Sequence, residues 1–253
     1  MIQLIKFIIV VLSLFICDLS QGGTIDPNTP DSKYVEYGKK FECVMKICGE
    51  YNNGTKFCAS CVVINKHWIV TAAHVVEDSN IVLVKDEKGN EYPIDRAYIH
   101  SEFDNEKFGL NDIALCYSEK PIELDFYPDL YSAQDEVDKI CAISGYGITG
   151  NFNSGCKISD GKRRGGANRI DRIEKHLLIC SPSKRNENFV QLEFMIGSGD
   201  SGGGLFIDKK LAGINSCVMA ADKSPNSSYG DESGHTRISD HKEWIESTIR
   251  TYD

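Results

Sequence analysis

Three short segments carry residue types that together can perform acyl transfer. The run Gly197-Ser198-Gly199-Asp200-Ser201-Gly202-Gly203-Gly204 sets a serine hydroxyl on a glycine-rich turn. Backbone N–H groups on such a turn can converge on the oxyanion that develops beside the nucleophile. Thr71-Ala72-Ala73-His74 follows an apolar run that contains Trp68, and an imidazole, titrating near neutrality, can take the proton of a serine. Asn111-Asp112-Ile113-Ala114-Leu115 opens another apolar run with a carboxylate. Buried beside His74, that carboxylate would fix the imidazole tautomer and stabilise the imidazolium. Singly, each segment has an ordinary reading as a surface turn, a strand-end histidine or a turn aspartate. Spacing alone does not bring the three together, so a fold has to.

The rest of the chain supplies β-type elements for that purpose. Short apolar runs at 61–64, 68–71, 81–84, 113–116, 141–144 and 205–207 are separated by turn signals, with Lys88-Gly89-Asn90 and Asp208-Lys209-Lys210 as hairpin-turn candidates. Short strands without alternating helices indicate an all-β protein, an antiparallel sandwich or barrel. Only the tail reads as helix: Ser239 or Asp240 can cap it with Glu243, and Trp244, Ile245, Thr248 and Ile249 form one docking stripe. At 253 residues and 41% hydrophobic content the chain can bury a sizeable core. A net charge of −9 argues against nucleic-acid or anionic-membrane partners.

The amino terminus reads as a secretory leader over residues 1–22. Lys6 precedes the apolar run 7–17, polarity rises at Asp18, and the run is shorter than the ~20 apolar residues a membrane span needs. The expected cut lies between Ser20 and Gly23, after which the protein is secreted, with no stable membrane association. Of ten cysteines, nine remain once Cys17 leaves with the leader; an oxidising compartment then implies disulfides, with at least one thiol left over. Cys58 and Cys61 have C-x-x-C spacing but no second such pair follows, so no metal is expected. Asn53-Gly54-Thr55 and Asn226-Ser227-Ser228 are glycosylation sequons. Residues 24–33 are polar and proline-bearing, and 23–33 read as a propeptide or flexible lead. Lys162-Arg163-Arg164 reads as a solvated loop, open to nicking.

The three segments occur in the order His, Asp, Ser, and the chain resembles the trypsin-like (chymotrypsin-fold) serine proteases over residues 34–250. Flanking matches support the likeness: Trp68, Ile99-His100, Ile143-Ser144-Gly145-Tyr146-Gly147, Leu211-Ala212-Gly213-Ile214-Asn215-Ser216 and His235-Thr236-Arg237-Ile238-Ser239. The resemblance implies two antiparallel six-stranded β-barrels, about 34–130 and 131–238, with a C-terminal helix about 239–251 and the site between the barrels. It implies a secreted endopeptidase with Ser201 as nucleophile, His74 as base and Asp112 orienting it. Gly199 and Ser201 N–H would form the oxyanion hole, and Ser216 would support Asp112. Asp200 matches a residue that pairs with a new amino terminus after an activation cut. Polypeptide substrates and protein protease inhibitors are the implied partners, with no cofactor.

The chain also departs from the pattern. Val75 stands where a cysteine often braces the histidine turn, Gly197 where a pocket cysteine is common, Gly204 in place of proline, and Cys217 where tryptophan is frequent. No basic residue precedes an Ile-Val-Gly-Gly sequence; Lys33 is the nearest candidate, placing maturation between 24 and 34. The primary pocket is expected from Met195, Ser216, Val218 and Ser233. Its apolar floor favours small or medium aliphatic side chains, unless Asp231 or Glu232 projects in and selects basic ones. The segment 87–91 faintly resembles a calcium loop and reads better as a hairpin turn. Two rivals stand beside the protease: a catalytically silent homologue acting as a binding or regulatory module, and an acyl hydrolase of another fold, whose triad order would be Ser, Asp, His.

Overall fold

The computed structural model describes residues 23–107, 109–185 and 188–252; the expected leader and Cys17 lie outside them. The short apolar runs pair with their neighbours along the chain, as turn-separated strands do, and build two antiparallel sheets of seven strands each. The first runs Glu91–Pro93, Ser79–Lys85, Val44–Tyr51, Lys56–Val63, Trp68–Thr71, Ala114–Tyr117, Arg96–Ile99. The second runs Arg164–Arg169, Ile140–Gly145, Gly204–Ile207, Lys210–Ala220, Asp231–Arg237, Leu177–Cys180, Arg172–Glu174. The all-β class, the curled sheets and the C-terminal helix agree with expectation. In the hairpin joining Gly204–Ile207 to Lys210–Ala220, Asp208 and Lys209 both have positive φ, 49° and 65°, the geometry that suits the right-handed twist of the flanking strands.

Each sheet has its own core. Val44, Ile47, Trp68, Ile69, Ile113 and Leu115 fill the first; Ile143, Leu178, Phe194 and Leu205 fill the second. The helix Ile238–Tyr252 leaves the second sheet, yet buries Ile238 and Ile245 in the first core, with Trp244 and Ile249 packed against it. It therefore clamps the halves together. Its expected caps serve other contacts: Ser239 donates to Glu136, and Asp240 meets Arg237 and His176. No helix among the described residues is long and apolar enough to cross a membrane.

Residues 23–33 are built into the fold. Thr24–Ile25 is a strand, parallel to Thr149–Asn151 and antiparallel to Phe194–Met195, in a small four-stranded sheet with Gly155–Ile158. A helix, Asp31–Gly38, follows at once and buries Tyr34 completely. Asp26, also buried, gathers Asn28, Thr29 and Arg185 around its carboxylate. The solvated-loop reading of Lys162-Arg163-Arg164 holds for Lys162 alone and is wrong for the two arginines. Arg163 and Arg164 are each 4% exposed. Arg163 donates to the Gly38 and Val44 carbonyls, and Arg164 is held by Asp31 and Asp160. The two arginines tie the lead to both sheets and are not accessible to nicking.

Among the described residues, one disulfide, Cys48–Cys58, bridges the hairpin Val44–Tyr51/Lys56–Val63. Cys141 and Cys180 are buried with their sulfurs 3.9 Å apart. In the 86–91 turn, Asp86 accepts from the N–H groups of Lys88 and Asn90, so the carboxylate closes a hairpin.

Candidate active site

The apolar strand Trp68–Thr71 is fully buried, and the chain turns directly from it into the short helix Ala73–Val76. That abrupt exit holds His74 at the edge of the first sheet, partly exposed while its neighbours Ala73 and Val75 are buried. Its Nδ1 lies 2.7 Å from Asp112 Oδ2, and its backbone N–H donates to Asp112 Oδ1 at 3.0 Å. A carboxylate at Nδ1 fixes the proton there and leaves Nε2 as the acceptor.

Asp112 is buried and held from several directions. Ser216 Oγ donates to Oδ2 at 2.6 Å, and Thr236 Oγ1 donates to the Asp112 carbonyl. Burial alone would raise its pKa. The hydrogen bonds from His74 and Ser216 and the attraction of the imidazole outweigh burial, so the carboxyl sits below its ordinary range. Behind it, Asn111 has φ +49°, and its Oδ1 is 3.0 Å from His241 Nε2 on the C-terminal helix, whose Nδ1 meets the Arg237 carbonyl at 2.7 Å.

Ser201 is positioned by the opposite sheet but fastened by the first. Ser60 N–H donates to the Ser201 carbonyl at 2.9 Å, and Ser60 Oγ donates to the Gly199 carbonyl at 2.8 Å. Gly202 has φ +80°, and a Cβ there would stand 2.0 Å from Thr71 Oγ1, so the turn admits only glycine. The N–H groups of Gly197, Asp200, Gly202 and Gly203 all have internal acceptors. Those of Gly199 and Ser201 meet none among the described residues, which leaves two donors on one turn for an incoming oxygen. The Ser201 hydroxyl likewise has no described hydrogen-bond partner and is free to rotate.

His74, Asp112, Ser201 and Ser216 line one cavity of ≈ 650 Å³ between the sheets. Of the four expected pocket residues, Ser216 and Val218 line it. Met195 and Ser233 are buried behind its wall: Met195 pairs with Thr24, and Ser233 donates to the Cys180 carbonyl. Ile196 and Ser227 stand at the wall in their place. Asp231 and Glu232 do not line the cavity. Asp231 accepts from the N–H groups of Asn226 and Ser228, and Glu232 makes two bonds to Arg172.

Asp200, beside the nucleophile, is fully buried. It accepts from Gly147 N–H at 2.7 Å, from Gly197 N–H at 3.0 Å and from the backbone of Gly23. Among the described residues no basic side chain pairs with it, and burial pushes its pKa up to about 7. Gly23 is also buried; a Cβ on it would fall 2.4 Å from the Phe194 ring and 2.8 Å from Asp200 Oδ2. Sequence reasoning missed this contact, because Gly23 and Asp200 lie far apart along the chain.

A sequence model described as Trypsin matches residues 40–245. Mast cell protease 3 of Ovis aries is 27% identical over 225 residues, covering 79% of this chain and 81% of that protein. Trypsin of Simulium vittatum is 28% identical over 179 residues, covering 64% and 71%. Among solved structures, HL collagenase superposes with a TM-score of 0.65 at 20% identity, covering 83% of this chain and 94% of that one. Neuropsin, a serine protease expressed in the limbic system of mouse brain, gives 0.63 at 18%, covering 83% and 95%.

Proposed function

This chain belongs to the trypsin family, whose match spans residues 40–245, and on that premise we propose that it is a secreted serine endopeptidase working through an acyl-enzyme. The observation that carries the reading is the 2.7 Å contact of His74 with a buried Asp112, in one cavity with a free serine hydroxyl. In the first step Ser201 Oγ attacks the scissile carbonyl while His74 Nε2 takes its proton. The carbonyl electrons move to oxygen, which accepts from the Gly199 and Ser201 N–H groups. His74 then passes the proton to the amine, the C–N bond breaks, and the acyl group stays on Ser201. Water, deprotonated by the same imidazole, then attacks the acyl carbon; the bond to Ser201 Oγ breaks, His74 returns the proton to that oxygen, and the acid leaves. Asp112 keeps Nδ1 protonated and balances the charge on the ring. The pocket wall, with Ile196 and Val218, favours short side chains beside the scissile carbonyl.

The same reading gives the amino terminus a role. Asp200 is a buried carboxylate without a cation, a costly arrangement, and one of the backbone N–H groups it accepts from is that of Gly23. We take the leader to be cut before Gly23, so that the new α-ammonium meets Asp200 and the segment 23–33 stays in the mature domain, 23–253. Maturation between 24 and 34 would instead remove a strand from its sheet. N-terminal sequencing of the secreted protein checks this, with Gly23 expected.

A fluorophosphonate probe on the secreted protein tests the activity. The expected result is a single adduct on Ser201, absent from Ser201→Ala. An unlabelled, correctly processed protein would overturn the protease reading in favour of the silent homologue.

A further inference from the structure

The charges around the cleft are unequally committed. Asp112 is bound to His74, and Asp104, which also lines the cavity, is paired with Lys107 at 2.9 Å. None of the acidic residues of the 222–232 segment lines the cavity, and each is engaged elsewhere. Asp222 accepts from Ser224 N–H, Asp231 caps Asn226 and Ser228, and Glu232 is held by Arg172. Lys223 does line the cavity and, among the described residues, pairs with no carboxylate. Its backbone N–H donates to the Ala220 carbonyl, which closes the turn carrying it. Ser198 and Ser224 also line the cavity, and their hydroxyls meet no acceptor among the described residues. The wall thus offers one uncommitted cation and two free hydroxyls above an apolar base of Ile196 and Val218.

From this imbalance we propose that the protein selects peptides with a carboxylate side chain next to the scissile carbonyl, and that Lys223 is the residue that selects them. The inference rests on the endopeptidase reading above. A short acidic side chain lays its methylene carbons on Ile196 and Val218 and turns its carboxylate to the lysine and the serine hydroxyls. An amide of the same shape gains the hydroxyls but not the charge. A lysine side chain in the substrate meets Lys223 as a like charge, with no acid on this wall to receive it.

The test uses the secreted, processed chain and fluorogenic peptides that differ only in the residue supplying the scissile carbonyl: Asp, Asn, Glu, Gln, Ala, Val and Lys. The expected kcat/KM favours each acid over its amide by roughly fivefold, the scale of a partly solvated ion pair, and the ratio falls as salt rises. Lys223→Ala should bring the acid-to-amide ratio to about one, and Lys223→Glu should invert the preference toward the lysine peptide. A ratio of one in the unaltered protein, or a ratio that Lys223→Ala leaves in place, overturns this inference while the protease reading stands. Absence of Ser201-dependent hydrolysis of every peptide overturns the protease reading itself.

Discussion

Keeping the last three expected leader residues, Ser20-Gln21-Gly22, on the chain would leave Gly23 with an amide nitrogen where the processed chain presents an ammonium. Asp200 then has no counter-charge, and burial holds its pKa near 7 against an unperturbed 3.8. A carboxyl raised in the folded state binds its proton more tightly than the unfolded chain does. The extended form therefore has its full stability below about pH 4 and loses it as pH rises through 7. About three pH units at 1.36 kcal/mol each amount to about 4 kcal/mol. In the chain processed as proposed, the α-ammonium of Gly23 should keep Asp200 ionised and remove most of that loss. Urea unfolding of both forms between pH 4.5 and 8.5, in a Ser201→Ala background to prevent self-cleavage, measures the difference directly. The expected gap is several kcal/mol at pH 8, closing toward pH 4.5. Equal midpoints at pH 8 would refute the pairing. So would a constant gap at all pH values, since mere crowding by the extra residues does not titrate.

Asp112→Asn should lower kcat by about 10³–10⁴-fold near pH 7, by allowing the wrong tautomer of His74, with little change in unfolding midpoint; steady-state kinetics checks it. His241→Ala removes the bond that steadies Asn111 behind Asp112. We expect roughly a tenfold loss in kcat with KM unchanged, and an equal fall in both parameters would count against a positioning role. Cys141 and Cys180, 3.9 Å apart, should close a second disulfide in an oxidising compartment, seen as a cross-linked peptide pair in a non-reducing digest.

The segments around His74, Asp112 and Ser201 stand out in the sequence because each couples a reactive side chain to a neighbouring strand or turn in which few residue types fit. Gly202, pressed against Thr71, shows why. The C-terminal helix and the Asp208-Lys209 hairpin were legible because their signals are local. What stayed hidden depends on partners far along the chain. Residues 24–33 look like a loose lead until Thr24–Ile25 is paired with strands beginning at Thr149 and Phe194. Arg163 and Arg164 look solvated until the carbonyls of Gly38 and Val44 and the carboxylate of Asp31 surround them. The pocket wall shows the same limit. Met195 is expected in the pocket, but it pairs with Thr24 in the small sheet and is buried away from the cavity, which Ile196 lines instead.

The strand Thr24–Ile25 also bears on when the molecule becomes complete. It leaves the ribosome early, yet both of its partner strands, and Asp200 itself, are made only in the second half of the chain. Pairings this distant in sequence form late in folding. The residues from Gly23 onward are thus translated early and yet among the last to be seated, and the loop carrying Ser201 cannot be braced until the rest is in place. If the chain is the protease proposed above, this order of assembly carries its own delay: nascent and half-folded molecules lack the buried contact at Gly23. In a pulse-chase experiment, reactivity toward an active-site probe should therefore rise only as Gly23 becomes protected from aminopeptidase.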